Sequence, residues 1–225
     1  MKKIFFCIAT MLSLVCSAQP AIEKGKTEVP DLSIITLETP DKTGGQPVWK
    51  VFANRQSVRE FASDRLKPKD LSMLLWAANG VNRTDGRRTA PSAMNAQDVD
   101  IYVVTPEGAY IYDAKAHVLN PVAAGNFRDA TGGGQGNINQ APVFLVLVSD
   151  LSRLTRGNNA PDEQTRLFGA MDAGIIAQNI NLACASLGLA TVTRTTMDKE
   201  ALKKALNLKE TQLLLLNNPV GYPKE

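Results

Sequence analysis

Six apolar residues in a row, Val143, Phe144, Leu145, Val146, Leu147 and Val148, lie between Pro142 and Ser149, and they constrain the fold more than any other feature. The run has no polar alternation, so it predicts a strand buried on both faces, which needs a covering layer on each side. Residues 165–187 can supply one. They predict the longest helix of the chain, with an apolar stripe of Leu167, Phe168, Met171, Ile175, Ile176 and Ile180, kept narrow by Ala170, Gly174, Ala177, Ala183 and Ala185. Gly188 ends it. A narrow helix with so little charge packs backbone to backbone, in a domain centre or against a twin in a dimer.

Other elements are locally signalled. Pro68 and Asp70 precede a helix over 71–78 that stops at Gly80, and Asp198 caps another running to Leu206. Residues 99–105 and 109–113 flank Pro106, Glu107 and Gly108 and predict a hairpin. Residues 32–37 and 213–216 read as strands, the latter buried. Strands and helices without repeated βαβ units predict an α+β domain. Its span is 48–225, after a polar extension at 19–47 rich in Pro, Gly and Thr and a leader at 1–18.

The leader reads as a signal peptide. Lys2 and Lys3 precede an apolar stretch at 4–15, and at 12 residues it falls short of the roughly 20 that span a bilayer. Cys16, Ser17 and Ala18 offer a small-residue cleavage site before Gln19, so the expectation is an exported, periplasmic protein with no membrane span in the mature chain. A lipoprotein would be acylated at Cys16, but such a site wants a small residue where Val15 stands. Cleavage removes Cys7 and Cys16 and leaves Cys184, which reads as a buried small hydrophobe and has no partner for an intrachain disulfide. The one mature histidine, His117, lies in a strand-like run. With no second His and no Cys pair, no zinc site is expected, and no Gly-x-Ser-x-Gly turn presents a hydrolase nucleophile. Lys plus Arg number 25 against 22 for Asp plus Glu, too even a balance for a nucleic-acid protein.

Three stretches carry candidate chemistry. Arg55, Ser57 and Arg59 fall two residues apart, so two guanidiniums and a hydroxyl can line one side of an extended or first-turn backbone. Arginine forks suit phosphate oxygens and carbonyls; the alternative is a solvated charged turn. Pro91, Ser92, Asn95 and Gln97 form a loop of small and amide-bearing residues that can hydrogen-bond a flat heterocycle or simply make a turn. The third is the segment 188–198, containing Thr195 and Thr196, together with Gly221, Tyr222 and Lys224 near the end. The glycine run at 132–136 lacks the Lys-Ser/Thr of a P-loop and reads as a surface loop.

In order, Arg-x-Ser-x-Arg, Pro-Ser-x-x-Asn-x-Gln, the Ala/Gly-rich helix ending Leu187, Gly188, Leu189, and the terminal Gly-Tyr-Pro resemble the FMN-dependent nitroreductase family over about residues 51–224. The Arg-Thr-Ala-Pro-Ser form is similar to its branch of peptide thiazoline and oxazoline oxidases. The resemblance implies an α+β homodimer, with a central mixed or antiparallel sheet flanked by helices and two FMN sites at the subunit interface. It places Arg55 and Ser57 at the flavin phosphate, Arg59 at the ribityl chain or pyrimidine edge, and Lys224 as a second phosphate contact beside Gly221. Pro91, Ser92 and Asn95 would come from the other subunit to line the ring, and the backbone of Thr195 and Thr196 would approach flavin N5. The implied activity is ping-pong hydride transfer from a reduced donor such as NAD(P)H to a small electron-poor acceptor, with no dedicated acid or base. Rival readings are an exported flavin- or ligand-binding protein without catalysis and an oxidase of a peptide-derived ring. The family often has Gly beside N5 where Thr196 stands here. Many members also carry a long C-terminal arm, whereas this sequence stops at Glu225, so a dimer would rely on the long helix and on residues 19–47.

Overall fold

The apolar run lies inside a seven-stranded sheet. The computed structural model describes residues 32–155 and 160–224, so the expected leader and the start of the extension lie outside the described residues. In chain order the elements are β1 (Ile35–Thr36), α1 (Val48–Asn54), α2 (Pro68–Asn79), β2 (Val99–Val104), β3 (Gly108–Asp113), β4 (Val118–Ala124), α3 (Arg128–Gly132), β5 (Val143–Asp150), α4 (Glu163–Leu187), β6 (Ala190–Thr191), α5 (Lys199–Ala205) and β7 (Gln212–Gly221). The sheet order among the described residues is β1-β4-β3-β2-β5-β7-β6, with every neighbouring pair antiparallel. The fold is α+β.

Every residue of β5 is buried, and its side chains alternate between two cores. Leu145 and Leu147 pack with Leu74 and Leu75 of α2 and Ile176 and Ile180 of α4. Phe144, Val146 and Val148 pack on the opposite face with Phe61 and with Leu202 of α5. Each such side chain contributes about 1.5–3 kcal/mol, so a slip of one residue would exchange the two cores and is strongly opposed.

Local chemistry sets the helix ends. Pro68 opens α2, where its missing N–H is no loss. Gly80 ends α2 because nothing larger fits: a Cβ there would stand 2.5 Å from Trp76 Cδ1 and 2.7 Å from Trp76 O. Asp162 starts α4 earlier than residue 165, accepting from the Thr165 N–H at 2.8 Å in a capping box, and Gly188 closes it at φ +71°.

Four expectations need correction. The α4 stripe is two faces: Ile176 and Ile180 are buried, whereas Leu167, Met171 and Ile175 are 58%, 56% and 38% exposed. His117 occupies the turn before β4 at φ +55°, not a strand. β4 gave little signal because Asn120 and Pro121 interrupt it; Pro121 is tolerated where the register with β3 shifts, opposite Tyr110. The run at 132–136 is partly ordered, with Gly132 buried at the end of α3 and Gly133 capping it at φ +61°. The last strand also runs to Gly221, taking in Asn217 and Asn218, and Leu213, Leu215 and Leu216 are only half-buried.

Candidate active site

After α1 the chain turns extended. The Arg55 N–H still donates to Val51 O at 2.9 Å, and the backbone then joins the sheet edge: Val58 N–H to Thr191 O at 2.9 Å, Ala62 N–H to Tyr222 O at 2.9 Å and Lys224 N–H to Glu60 O at 3.5 Å. These bonds set the 55–59 segment beside the terminal 221–224 segment. Alternation puts Arg55, Ser57 and Arg59 on one side, with Ser57 and Arg59 exposed and Arg55 half-buried. The intervening Asn54, Gln56 and Val58 line a separate cleft of about 280 Å³ with Gln46, Asn181 and Thr191. Among the described residues, no carboxylate pairs with Arg55, Arg59 or Lys224. Gly221 differs from its neighbours. It is buried in β7, and a Cβ there would lie 2.7 Å from Pro142 Cδ, so packing alone accounts for the glycine.

A fourth cation, Arg194, joins them, and sequence reasoning missed it. The turn at 132–137 holds two arginines at once: Gly132 O accepts from Arg194 Nη2 at 3.1 Å, and Asn137 Nδ2 donates to Arg59 O at 3.3 Å. Arg194 is half-buried, and burial first, then the Arg59 charge, lowers its pKa. Asn217, fully buried in β7, organises this corner. Its backbone exchanges hydrogen bonds with Arg194 at 2.8 and 2.9 Å, its Oδ1 accepts from Arg194 Nη1 at 3.3 Å, and its Nδ2 donates to Thr196 O at 3.0 Å. Thr195 and Thr196 are therefore pinned through Asn217, yet both are exposed, and their N–H groups meet no acceptor among the described residues.

The loop at 91–97 lies elsewhere. Ala93 N–H donates to Asp172 Oδ2 at 2.8 Å on α4, whereas α1 is anchored near the other end of that helix by Gln46 Nε2 donating to Ser186 O at 3.0 Å. Fourteen residues of α-helix separate Asp172 from Ser186, about 21 Å. Ser92 Oγ accepts from the Gln97 N–H at 2.8 Å, so it braces its own loop, and Pro91 and Asn95 are exposed. One protomer thus gathers Arg55, Ser57, Arg59, Arg194, Thr195, Thr196 and Lys224, and keeps Pro91, Ser92 and Asn95 apart from them.

Other reactive groups are closed off. Cys184 is 1% exposed, and burial pushes its thiol far up. His117 meets Ser72 Oγ at 2.8 Å and Tyr112 OH at 2.9 Å, a serine–histidine contact of the kind hydrolases use. Ser72, however, is fully buried and donates its own proton to Glu38 O at 2.5 Å, so no substrate carbonyl can reach it. Burial lowers the His117 pKa, and the pair pins the 37–38 backbone to α2 and the β3–β4 turn.

An antiparallel α+β protein with a cationic corner at one sheet edge is a known class. The profile of the Nitroreductase family matches residues 52–222. A protein of Methanocaldococcus jannaschii described as a nitroreductase is 31% identical over 203 residues, 86% of this chain and 94% of the relative. An FMN reductase [NAD(P)H] of Bacillus subtilis is 26% identical over 189 residues, covering 79% of this chain and 66% of its own length. The crystal structure of a protein described as a nitroreductase from Ralstonia eutropha JMP134 superposes with a TM-score of 0.78 at 37% identity, covering 85% of this chain and 90% of that one. The chain belongs to the nitroreductase family, and its activity is that of an oxidoreductase.

Proposed function

We propose that the protein is a homodimeric FMN-dependent oxidoreductase moving hydride from a reduced donor to a small electron-poor organic acceptor. One observation carries the reading: Arg55 and Arg59 stand on one extended segment, the backbone of Lys224 bonds to Glu60 beside it, the Arg59 charge acts on Arg194, and no carboxylate pairs with any of the four among the described residues. Such a cluster fits a dianionic phosphate and the electron-rich edge of a flavin. In this reading Arg55, Ser57 and Lys224 hold the phosphate. Arg59 and Arg194 supply positive charge at the pyrimidine edge, and the free N–H groups of Thr195 and Thr196 face N5. Bound there, FMN supplies the hydride chemistry.

The residues themselves bind, orient and exclude water. Asn217 fixes the Thr195–Thr196 backbone so that its N–H groups need no reorganisation when charge develops. The named side chains of the corner are arginine, lysine, serine, threonine and asparagine, so their roles in this reading are to bind and orient.

The dimer completes the ring side. Leu167, Met171 and Ile175 form an exposed apolar strip on the first half of α4, and Val48, Trp49 and Phe52 of α1, toward the other end of that helix, are 55%, 80% and 50% exposed. An antiparallel pairing of α4 with its copy brings each 91–97 loop toward the partner's Arg55 corner, and so supplies Pro91, Ser92 and Asn95 across the interface. The domain proper is 48–225, and the leader directs export, with cleavage after Ala18. Since NAD(P)H is scarce outside the cytoplasm, a periplasmic enzyme would take reducing equivalents from another small donor. The visible spectrum of the purified protein tests the whole reading. A flavin spectrum, with FMN released on denaturation and NAD(P)H- or dithionite-driven reduction of a quinone or nitroaromatic, is expected. A colourless protein that binds no added FMN overturns it.

A further inference from the structure

The 91–97 loop is conformationally expensive. Met94, Asn95 and Gln97 have φ of +54°, +54° and +49°, the left-handed region that non-glycine residues other than Asn and Asp rarely occupy. Its tethers are therefore decisive. Arg88 Nε donates to Gln97 Oε1 at 3.1 Å, Arg153 Nη1 to Gln97 O at 3.0 Å, and Ala93 N–H to Asp172 Oδ2 at 2.8 Å.

The Asp172 tether ends in an unusual contact. Asp172 is 4% exposed and Asp98 is fully buried. Asp98 Oδ2 accepts from Ser149 Oγ at 2.5 Å, while its buried Oδ1 meets no N–H or O–H among the described residues. Asp172 is brought to the same spot from α4: one turn before it, Gly169 packs so closely on Ser149 that a Cβ there would clash with Ser149 Oγ, and the Asp172 carboxyl acts on that of Asp98. Two carboxylates have no proton to offer each other, so the contact needs one shared proton to exist.

We propose that Asp98 and Asp172 form a proton-sharing carboxyl pair that holds residues 92–97 in their strained conformation, which makes Asp172 a positioning residue for the ring side of the flavin site. The inference rests on the flavin reading above only for what the loop touches. Deprotonating the pair places a second negative charge in a buried acceptor–acceptor contact, and the repulsion pulls Asp172 away from the Ala93 N–H. Burial first, then Asp172, raises Asp98 to about 7, against the opposing Ser149 hydrogen bond. The charged groups around the pair are already committed. Arg153, in the turn after β5, donates to both oxygens of Asp100 on β2 at 2.9 and 2.7 Å and lies 3.8 Å from Asp150 on β5. Arg88 faces Gln97. The two carboxylates also meet the Ala93 N–H of the loop, Ser149 of β5 and the backbone of Asp98 itself, and Arg153 feels the Asp98 charge.

The sign follows from the raised folded pKa. The stabilising contribution is fully present below about pH 4, where unfolded Asp titrates, and is lost as pH rises through about 7. The test titrates the full apo chain with FMN between pH 5.5 and 8.5, and records thermal unfolding without flavin over the same range. It compares wild type, Asp98→Asn and Asp172→Ala. Wild type should lose about threefold to tenfold in FMN affinity across pH 7, the worth of one loop hydrogen bond. Asp98→Asn should remove that step, because its amide N–H replaces the shared proton at every pH. It should also remove the matching fall in thermal stability. Asp172→Ala should weaken binding at pH 6 as well. Titration of the FMN phosphate is common to all three proteins and cancels in their ratios. The same pH step in Asp98→Asn as in wild type, or wild-type binding by Asp172→Ala, overturns the proposal. If no variant binds FMN, the flavin reading fails, and the unfolding curves still decide: a pH-dependent difference between wild type and Asp98→Asn upholds the pair, and its absence sinks it.

Discussion

The 55–59 segment and the 91–97 loop carry the two halves of the candidate site, and they are built in opposite ways. The first is held by its backbone, through Thr191, Tyr222 and Lys224, in extended conformation, so Arg55, Ser57 and Arg59 are left with free side chains among the described residues. The second is held largely by side chains, through Asp172, Ser92, Arg88 and Arg153, against three left-handed residues. A backbone-held segment keeps its shape whatever side chains it displays. A side-chain-held loop depends on particular residues and on their protonation. Substitutions in the two regions should therefore separate: ligand affinity falls without stability in one, and both fall together in the other.

The largest effect should come from Asn217, which anchors the Arg194–Thr196 corner beside the first region and, unlike the 55–59 side chains, is buried. Asn217→Leu leaves the Arg194 guanidinium and Thr196 O without their buried partner, each such loss costing about 1–3 kcal/mol. Urea unfolding should show a loss of about 2–5 kcal/mol; an unchanged midpoint would mean the corner does not depend on Asn217. Next is Arg55→Ala, which should leave stability within about 0.5 kcal/mol but weaken FMN binding by roughly tenfold to a hundredfold, the worth of a charge-assisted contact. Titration of apo-protein measures it, and equal affinity would return the segment to a solvated turn.

The interface between the regions is tested by Gly174→Leu. A Cβ at Gly174 meets nothing within 4 Å in its own protomer, so the fold should tolerate leucine, while a close-packed copy of α4 would be wedged apart at a cost of about 1–3 kcal/mol. Light scattering should show weaker dimerisation at dilute protein; a wild-type monomer that binds flavin would remove the shared site. The smallest effect is the most direct comparison. Ser92→Ala loses the bond to Gln97 N–H and should cost about 0.5–1.5 kcal/mol in stability, whereas Ser57→Ala, exposed and unbonded, should change only FMN affinity. Identical stability losses in the two variants would erase the distinction.

What could be read from the residues alone was what local chemistry decides. The apolar run of β5, the Pro68 and Gly80 limits of α2, the hairpin around Pro106 and the Asp198 cap each depend on neighbours within a few positions, and each is found where the pattern put it. The apolar residues of α4 show where that stops. A period of 3.6 marks Leu167, Met171 and Ile175 as surely as Ile176 and Ile180, but it cannot say that one set faces the sheet and the other faces outward. Arg194 gave no signal of its own, because its place beside Arg59 depends on two contacts to a turn some 60 residues earlier in the chain. Nor could Asp98 and Asp172 be brought together from the sequence: they lie 74 positions apart, and only the packing of α4 over β2 and β5 buries both and raises the Asp98 pKa. Periodicity and capping are short-range, so sequence determined the elements and the arginine motif. Burial, charge proximity and the exposure of one helix face are properties of the packed chain, and tertiary structure alone decided them.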